Sequence, residues 1–317
     1  MTDETPSGRC PCCDGARWAS LGSKPGVHIV QDYEYLRCTG CGFTRVEPFA
    51  GYGIYDEAYY EGRGADPYVN YAEEYRNHGR TDRIREFEDC RRIAAQHFAA
   101  GETGQPLAWL DFGCGAGGLL KYLREEGGLP VAGGFRPLSL AGHDVGSYAE
   151  RLRRDDGFTI HGEAALAALP AGSFDVISLI EVIEHIPDPG PVMALCARLL
   201  RPGGLLLLTT GNFDCAVARR QGIDYRYCIP EIHVSLFSPR SLTALYRRHG
   251  LEPVGVRYAG AVQFKILKSV PARWRGLARL ALRLPGVTAL VDRAYGVSQM
   301  PCARLLAIES KRADIRN

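Results

Sequence analysis

The sequence lacks any hydrophobic run long enough to cross a bilayer, and its longest runs, such as Leu205–Leu208, have the length of a buried strand. Its first residues, Met1–Glu4, are polar and acidic, without the basic start and apolar stretch of a secretory signal peptide. Net charge is nearly absent too, because 38 Lys and Arg and 36 Asp and Glu leave only +2. These absences predict a cytoplasmic protein for which nucleic acid is not the expected partner.

Cysteine is plentiful and unevenly placed, with a cluster in the first 41 residues and single cysteines elsewhere. In a long chain without an export signal, such clustering favours a metal site over disulfides. Cys10 and Cys13 form one C-x-x-C pair, and Cys38 and Cys41 form a second pair after 24 intervening residues. Four thiolates close a tetrahedral, structural Zn²⁺ site, which staples a segment too small to fold on its own core. Cys12 is an alternative member of the first pair.

Composition divides the chain into three parts. Residues 1–50 form a predicted zinc-ribbon-like module, and residues 51–105 form a helical, tyrosine-rich lid and linker. In residues 106–317 short apolar runs alternate with helical stretches, which predicts βαβ units and a Rossmann-like α/β fold. The predicted strands are Leu107–Phe112, Leu138–Val145, Phe174–Val182, Gly204–Thr210, Pro253–Tyr258 and Ala303–Lys311. The predicted helices are Thr81–Phe98, Gly118–Glu126, Ser147–Arg154, Pro189–Leu200 and Ser238–His249.

A glycine-rich turn follows the first of these strands and contains Gly113, Gly115 and Gly117. Glycines at such a turn let a ligand approach the backbone at the N-terminus of the next helix. Asp111 precedes the first glycine by two residues, where a carboxylate suits a cationic ligand and its ammonium group better than a pyrophosphate. The turn therefore favours S-adenosylmethionine (SAM) over a nicotinamide dinucleotide.

Two further acids follow later strands. Asp144 ends the second strand, where a short carboxylate on a rigid element accepts both hydroxyls of a ribose. Its alternative role is that of a solvated turn acid or a helix cap. Glu163 follows the expected third strand, which has no assigned bounds and precedes the fourth strand Phe174–Val182. This position lies beside the expected position of the adenine.

A family resemblance rests on three stretches, Asp111–Gly115, Ser173–Pro189 and Leu200–Gly204. In this order and spacing they resemble the class I SAM-dependent methyltransferases, most nearly the ubiquinone-type O-methyltransferases, over roughly residues 106–210. The resemblance implies a seven-stranded sheet whose last strand runs antiparallel, with SAM as the cofactor. It also implies that Glu181, at the end of the fourth strand, lies near the methyl-donor end of SAM.

The four-cysteine module ahead of this domain is similar to that of the sugar C-methyltransferases. That resemblance implies a histidine base in the loop after the fifth strand, which corresponds to His233, with Tyr227 and Glu231 as orienting or binding groups. His185 is a second candidate for the base. For both histidines the alternative is a structural role in a turn. The expected acceptor is a small molecule, either a sugar or a secondary metabolite, and the accepting atom is left open among O, C and N.

Two segments each allow both a structural and a functional interpretation. The tyrosines ahead of the catalytic domain either cover cofactor and acceptor or pack the zinc module onto that domain: Tyr55, Tyr59, Tyr60, Tyr68, Tyr71 and Tyr75. The basic helical insertion 263–300 has seven Lys or Arg and one Asp within 263–294. It either caps the active site or contacts an anionic membrane surface.

The sequence disfavours three other functions. An RNA methyltransferase also combines zinc and SAM modules, but the low net charge and the Ile180-Glu181-Val182 strand end disfavour it. A nicotinamide-dependent oxidoreductase is disfavoured by Asp111 and by the Pro202–Gly204 turn. A non-catalytic binding module is disfavoured by the intact glycine turn and by Asp144.

Overall fold

The structure is a computed structural model that describes residues 8–64, 70–81, 83–99, 105–257, 270–281, 286–287 and 298–305. Its strands are β1 (Trp18–Pro25), β2 (Asp32–Cys38), β3 (Thr44–Glu47), β4 (Leu107–Phe112), β5 (Leu129–Val131), β6 (Gly134–Arg136), β7 (Leu138–His143), β8 (Thr159–His161), β9 (Phe174–Ile180), β10 (Leu200–Gly211), β11 (Ser235–Leu236), β12 (Leu251–Arg257) and β13 (Ser298–Leu305). Its α-helices are α1 (Glu57–Tyr60), α2 (Tyr71–Asn77), α3 (Ile84–His97), α4 (Gly118–Glu125), α5 (Tyr148–Arg154), α6 (Glu163–Ala168), α7 (Pro189–Leu199), α8 (Ala216–Gln221), α9 (Pro239–Arg248) and α10 (Arg275–Ala281).

The larger sheet has seven strands in the order β12-β13-β10-β9-β4-β7-β8. Strands β10, β9, β4, β7 and β8 are parallel to one another, whereas β13 pairs antiparallel with both β10 and β12. The run Leu205–Leu208 lies in β10 and is completely buried, as expected for a strand covered on both faces. The predicted Rossmann-like α/β fold with an antiparallel final strand is confirmed. Its parallel strands all end at one edge, and the candidate site lies there.

The smaller sheet has the order β1-β2-β3-β11 and joins the N-terminal segment to a strand far along the chain. Its first three strands form an antiparallel meander within the cysteine-rich segment. The fourth strand, β11, comes from residues 235–236 and pairs antiparallel with β3. The zinc-ribbon-like segment is therefore completed by a strand from the catalytic part of the chain.

Helix boundaries follow the local sequence signals. Helix α9 begins after Ser238, whose side chain accepts a hydrogen bond from the Ser241 amide. In the reciprocal bond, the Ser241 hydroxyl accepts from the Ser238 amide. Pro239 occupies the first turn, where its missing N–H costs nothing. Helix α4 begins after Gly117, which has a left-handed φ of 76°. These signals explain why the predicted helices lie within one to three residues of the observed ones.

Two segments differ from their predictions. The glycine-rich stretch between α4 and β7, for which no element was predicted, contains the small β5–β6 hairpin. The last strand, predicted at Ala303–Lys311, runs over Ser298–Leu305, because it starts early enough to pair with Thr210 and Gly211 of β10. Of the basic insertion only residues 270–281, 286–287 and 298–300 are described, so most of that prediction lies outside the described residues. Among the helices that are described, none has the length and apolarity needed to span a membrane.

Candidate active site

The glycine turn after β4 has the geometry of a ligand-binding loop. Gly113, Gly115 and Gly117 have φ values of 74°, 51° and 76°, in the left-handed region that favours glycine. A side chain on Gly115 would overlap the Tyr71 ring, so the loop is also closely covered from outside. The turn leads directly into α4, whose first amides point toward the edge of the sheet.

Asp144, just beyond β7, is bonded to this loop. Its Oδ2 accepts from the Gly115 amide at 2.8 Å, and its Oδ1 accepts from the Gly146 amide at 2.6 Å. Each carboxylate oxygen retains capacity for a second hydrogen bond. Asp144 is therefore held rigidly beside the glycine turn, and its predicted contact with the ribose hydroxyls stays a prediction.

A group of buried carboxylates surrounds Arg83 at the same edge of the sheet. Arg83, the residue before α3, contacts Glu74 at 3.4 Å and Glu86 at 3.9 Å, and it donates to the carbonyl of Ile180 at 2.8 Å. We call Glu74, Glu86, Asp111, Glu181 and Glu184 the acid cluster. Burial raises the pKa of Glu86 to about 8. These five carboxyl groups outnumber the single guanidinium beside them, so a further cation would favour their ionised forms.

Asp111 lies inside β4, and its side chain is almost fully buried. Its Oδ1 accepts from the hydroxyl of Ser178 at 2.7 Å, and that hydroxyl in turn accepts from the indole N–H of Trp109. Burial raises the pKa of Asp111 to about 7, although the Ser178 hydrogen bond and the nearby Arg83 act in the opposite direction. The carboxylate is thus placed where it costs stability unless a positive charge is close.

Glu181 follows β9 and combines backbone strain with an unpartnered atom. Its φ is 53°, one of two positive values among the described non-glycine residues. Its amide is fixed by the Thr209 carbonyl and hydroxyl, while the buried Oε1 has no hydrogen-bond partner. Strain and an unsatisfied acceptor are tolerated at sites that bind a ligand. The predicted position of Glu181 near the methyl-donor end of SAM stays a prediction.

A layer of tyrosines covers the glycine turn. Rings of Tyr59, Tyr60 and Tyr71 lie within 6.0 Å of one another, and Tyr60 continues to Tyr148 at 6.2 Å. Burial, and next the charge of Asp144, raises the pKa of Tyr60 to about 12. Beside the layer lies a cavity of about 440 Å³, bordered by Tyr60, Tyr75 and Tyr148. Three of the predicted lid tyrosines therefore lie at the glycine turn, their cover over a cofactor stays a prediction, and Tyr68 lies outside the described residues.

His185, His233, Glu184 and Tyr227 meet next to Glu181. Glu184 is fully buried, and its two oxygens accept from Tyr227 Oη at 2.7 Å and from Thr210 Oγ1 at 2.8 Å. The rings of Tyr227 and His233 are stacked with centroids 4.0 Å apart, and His185 follows at 5.2 Å. Ligand-type atoms of Glu184, His185 and His233 lie within 4.8 Å of one another, close enough to hold a divalent cation together.

The hydrogen bonds of the two histidines define their tautomers. His233 Nδ1 lies 2.6 Å from the carbonyl of Tyr227, and His185 Nδ1 lies 2.8 Å from that of Ile232. A carbonyl only accepts, so each Nδ1 carries the hydrogen and each Nε2 carries the lone pair. Burial, and next the charge of His185, lowers the pKa of His233 to about 3. His233 is therefore a neutral ring with an acceptor nitrogen.

A line of aromatic rings runs from the surface to these histidines. It starts at the exposed Phe49 and Tyr52, continues to Tyr55 and reaches His185, with successive centroids 5.0, 6.2 and 5.7 Å apart. Tyr55 Oη also lies 2.9 Å from His185 Nδ1. Such rings bind flat apolar faces and, through Tyr Oη, hydroxyl groups.

Two predicted site residues lie away from this centre. The carboxylate of Glu231 accepts from the amides of His28 at 2.7 Å and Ile29 at 3.1 Å, in the β1–β2 connection. Glu163 is exposed at the first position of α6, which follows β8. The orienting role of Glu231 and the adenine contact of Glu163 stay predictions.

Sequence reasoning did not single out Glu184, Arg83 or Glu74. Glu184 lies within the quoted stretch Ser173–Pro189, three residues after Glu181, and that spacing on a tight turn was the available signal. Arg83 and Glu74 gave no signal, because their pairing depends on how α2 packs against α3.

The first cysteine pair and the second pair converge at the turn of the smaller sheet. Sulfurs of Cys10 and Cys41 are 3.6 Å apart, those of Cys13 and Cys38 are 3.5 Å apart, and all four lie within 4.8 Å. A tetrahedral site with Zn–S bonds of about 2.3 Å needs sulfurs roughly 3.8 Å apart, so these four residues fit Zn²⁺. Cys12 is buried but lies outside this set.

Comparisons with known proteins agree with this geometry. Residues 82–256, more than half of the chain, match the family described as the methyltransferase domain. The chain is similar to the ubiquinone biosynthesis O-methyltransferase of Psychrobacter arcticus, with 37% identity over 41% of this chain and 51% of that protein. It is also similar to the protein of the same name from Thiobacillus denitrificans, with 28% identity over 53% of this chain and 75% of that protein. The chain thus spans about half the length of the first relative.

A solved structure supports the fold. The crystal structure of a SAM dependent methyltransferase from Archaeoglobus fulgidus aligns over 74% of this chain and 100% of its own, with a TM-score of 0.50 and 17% identity. At this identity the likeness concerns the fold alone.

Proposed function

Because the chain belongs to the methyltransferase-domain family, we propose that it transfers the methyl group of SAM to a small-molecule acceptor. The observation that carries this proposal is the acid cluster around Arg83. SAM has a sulfonium and an ammonium group, and these cations would favour the ionised forms of the buried carboxyl groups at the edge of the sheet. The residues that would hold it are Gly113, Gly115, Asp111, Asp144 and Glu181.

We call the part of the site formed by the aromatic line, His185 and His233 the acceptor side. Its rings and hydroxyl groups support a hydroxyl-bearing substrate, either a sugar or a secondary metabolite. The name shared by the relatives supports oxygen as the accepting atom. Bound SAM supplies the electrophilic methyl group. The aromatic line orients the acceptor, and His233 Nε2 takes the hydroxyl proton while Nδ1–H stays on the Tyr227 carbonyl.

The cofactor part of the proposal is tested by calorimetry with SAM and with S-adenosylhomocysteine, which lacks the positive sulfur. Glu181→Gln should weaken SAM about tenfold and leave S-adenosylhomocysteine within twofold, because the substitution removes a partner of the cation. Asp144→Ala should weaken both ligands alike, since they share the ribose.

Glu88→Gln, an exposed acid on α3, serves as the matched control and should change neither affinity. Equal weakening of both ligands by Glu181→Gln would contradict the assigned contact. No binding of either ligand to folded, zinc-loaded protein would overturn the proposed function.

The role of His233 is tested by turnover once an accepted hydroxyl compound is found. His233→Asn should lower kcat about 100-fold or more with little change in the KM for SAM, because it removes the proton acceptor without touching the cofactor side. His97→Asn, on the distant C-terminal end of α3, should leave kcat unchanged. Full activity of His233→Asn would exclude it as the base.

A further inference from the structure

The segment of residues 223–237 carries both Tyr227 and His233, and we call it the catalytic segment. It has little regular structure of its own: one 3₁₀ turn, loops and the two-residue strand β11. A segment of this kind takes its conformation from what surrounds it. The cysteine-rich module, residues 8–47, forms one part of these surroundings and contacts both ends of the segment.

Main-chain bonds form the first connection. Strand β11 pairs with β3 through Ser235 opposite Arg45 and Leu236 opposite Thr44. The amide of Val46 donates to the carbonyl of Val234 at 2.9 Å, one residue from His233. The module therefore fixes the backbone immediately after the histidine.

Side chains form the second connection, at the start of the segment. Lys24 Nζ donates to the carbonyls of Ile223 at 3.1 Å and Cys228 at 2.6 Å, and Tyr35 Oη donates to the same Cys228 carbonyl at 3.2 Å. Cys228 directly follows Tyr227, whose carbonyl holds His233 Nδ1. The module thus fixes the chain on both sides of the tyrosine–histidine pair.

Glu231 forms the third connection, in which a side chain of the catalytic segment binds the backbone of the module. Its buried carboxylate accepts the amides of His28 and Ile29 and so closes the β1–β2 connection onto the catalytic segment. Charge-assisted bonds of this kind are stronger than neutral ones. Module and segment therefore hold each other.

The four-cysteine site lies at the base of these connections. Cys38 is the last residue of β2, and Cys41 lies in the turn that leads to β3, the strand that binds β11. A sheet this small needs a metal to stay folded. Loss of the metal would therefore release β3 and the two ends of the catalytic segment.

We propose that Zn²⁺ in the cysteine site positions Tyr227 and His233, so that the zinc module forms a structural half of the acceptor side rather than a separate recognition domain. This inference rests on the proposed function, which assigns the site beside Tyr227 and His233 to the methyl acceptor. Zinc-free protein keeps the cofactor side, which is built from β4, β7, β9 and α4. It loses the geometry of the catalytic segment.

Hydrogen–deuterium exchange of the full chain, with and without zinc removal by a chelator, tests this directly. Amides of residues 223–237 should exchange at least tenfold faster without zinc, whereas those of β4 and β9 and the affinity for S-adenosylhomocysteine should stay within threefold. Unchanged exchange in residues 223–237 would overturn the inference. Parallel loss of S-adenosylhomocysteine binding would overturn it too, because zinc would then support the whole fold.

A second variant tests the connection without disturbing the metal. Lys24→Met keeps the aliphatic stem but removes the bonds to Ile223 and Cys228, so kcat should fall about tenfold at unchanged zinc content and unchanged KM for SAM. Arg17→Met, on the exposed side of the module, is the matched control. If no acceptor is ever methylated but the segment still loosens on zinc loss, the positioning role stands and the proposed function fails.

Discussion

At the scale of single residues, Asp111 shows a conflict between stability and ligand binding. It is buried in β4 with a pKa raised to about 7, whereas an Asp in the unfolded chain ionises near pH 4. The folded protein therefore holds the proton more tightly. As the pH rises from 4 through 7, the unfolded state gains stability relative to the folded state.

Asp111→Asn should consequently stabilise the cofactor-free protein at pH 8 by about 2–4 kcal/mol, with little effect at pH 4, because the amide needs no ionisation. The same change should weaken SAM, since it removes a carboxylate from the acid cluster. Urea unfolding at both pH values measures the first effect and calorimetry the second. Asp155→Asn, an exposed acid, is the control. A pH-independent gain in stability would contradict the raised pKa.

At the scale of elements, α1 and α2 form a cover over the glycine turn. Tyr71 begins α2 and lies against Gly115, while Glu74 on the same helix is buried against Arg83, the residue before α3. Arg83 also bonds to the end of β9. The cover is thus attached to the strand end that carries Glu181, so opening the cover would disturb the acid cluster.

Tyr71→Ala should speed dissociation of S-adenosylhomocysteine about tenfold, because a ring that covers the turn is lost. Tyr71→Phe keeps the ring and should behave like wild type. Stopped-flow displacement measures both rates. Equal dissociation rates in wild type and Tyr71→Ala would show that the ring does not retain the ligand.

Element order was predictable where local chemistry is strong. The glycine turn, the capped helix after Ser238 and the buried run in β10 each have a sequence signal that tertiary packing does not override. The β5–β6 hairpin has weak signals and was not predicted. Strand β11, only two residues long, has no periodicity to detect, and it forms because β3 offers it a partner.

At the scale of the whole molecule, the exposed apolar side chains of α10 and of the 3₁₀ turn before it need an explanation. Trp274, Leu277 and Leu280 are each more than half exposed, and the surrounding insertion is rich in arginine and lysine. Such a helix suits an anionic membrane surface, the functional alternative to a cap over the active site. The two roles predict different behaviour toward vesicles.

If α10 binds membranes, the protein should co-sediment with anionic vesicles but not with neutral ones, and the double change Leu277→Asp, Leu280→Asp should abolish that binding while leaving the affinity for SAM intact. Arg17→Met serves again as a control for general loss of positive charge. Absence of binding to anionic vesicles would exclude the membrane role and leave the cap.

The sequence by itself determined the residues whose chemistry depends on near neighbours: the glycine turn with Asp111, the strand-end acids Asp144 and Glu181, and the two cysteine pairs. Only the tertiary structure decided what lies across from them. Glu184 meets Tyr227, Arg83 meets Glu74, and Lys24 meets Cys228 over separations of 43, 9 and 204 residues. Spacing along a chain encodes contacts within one element, but contacts between elements depend on how buried surfaces pack, so these partners could not be predicted from sequence.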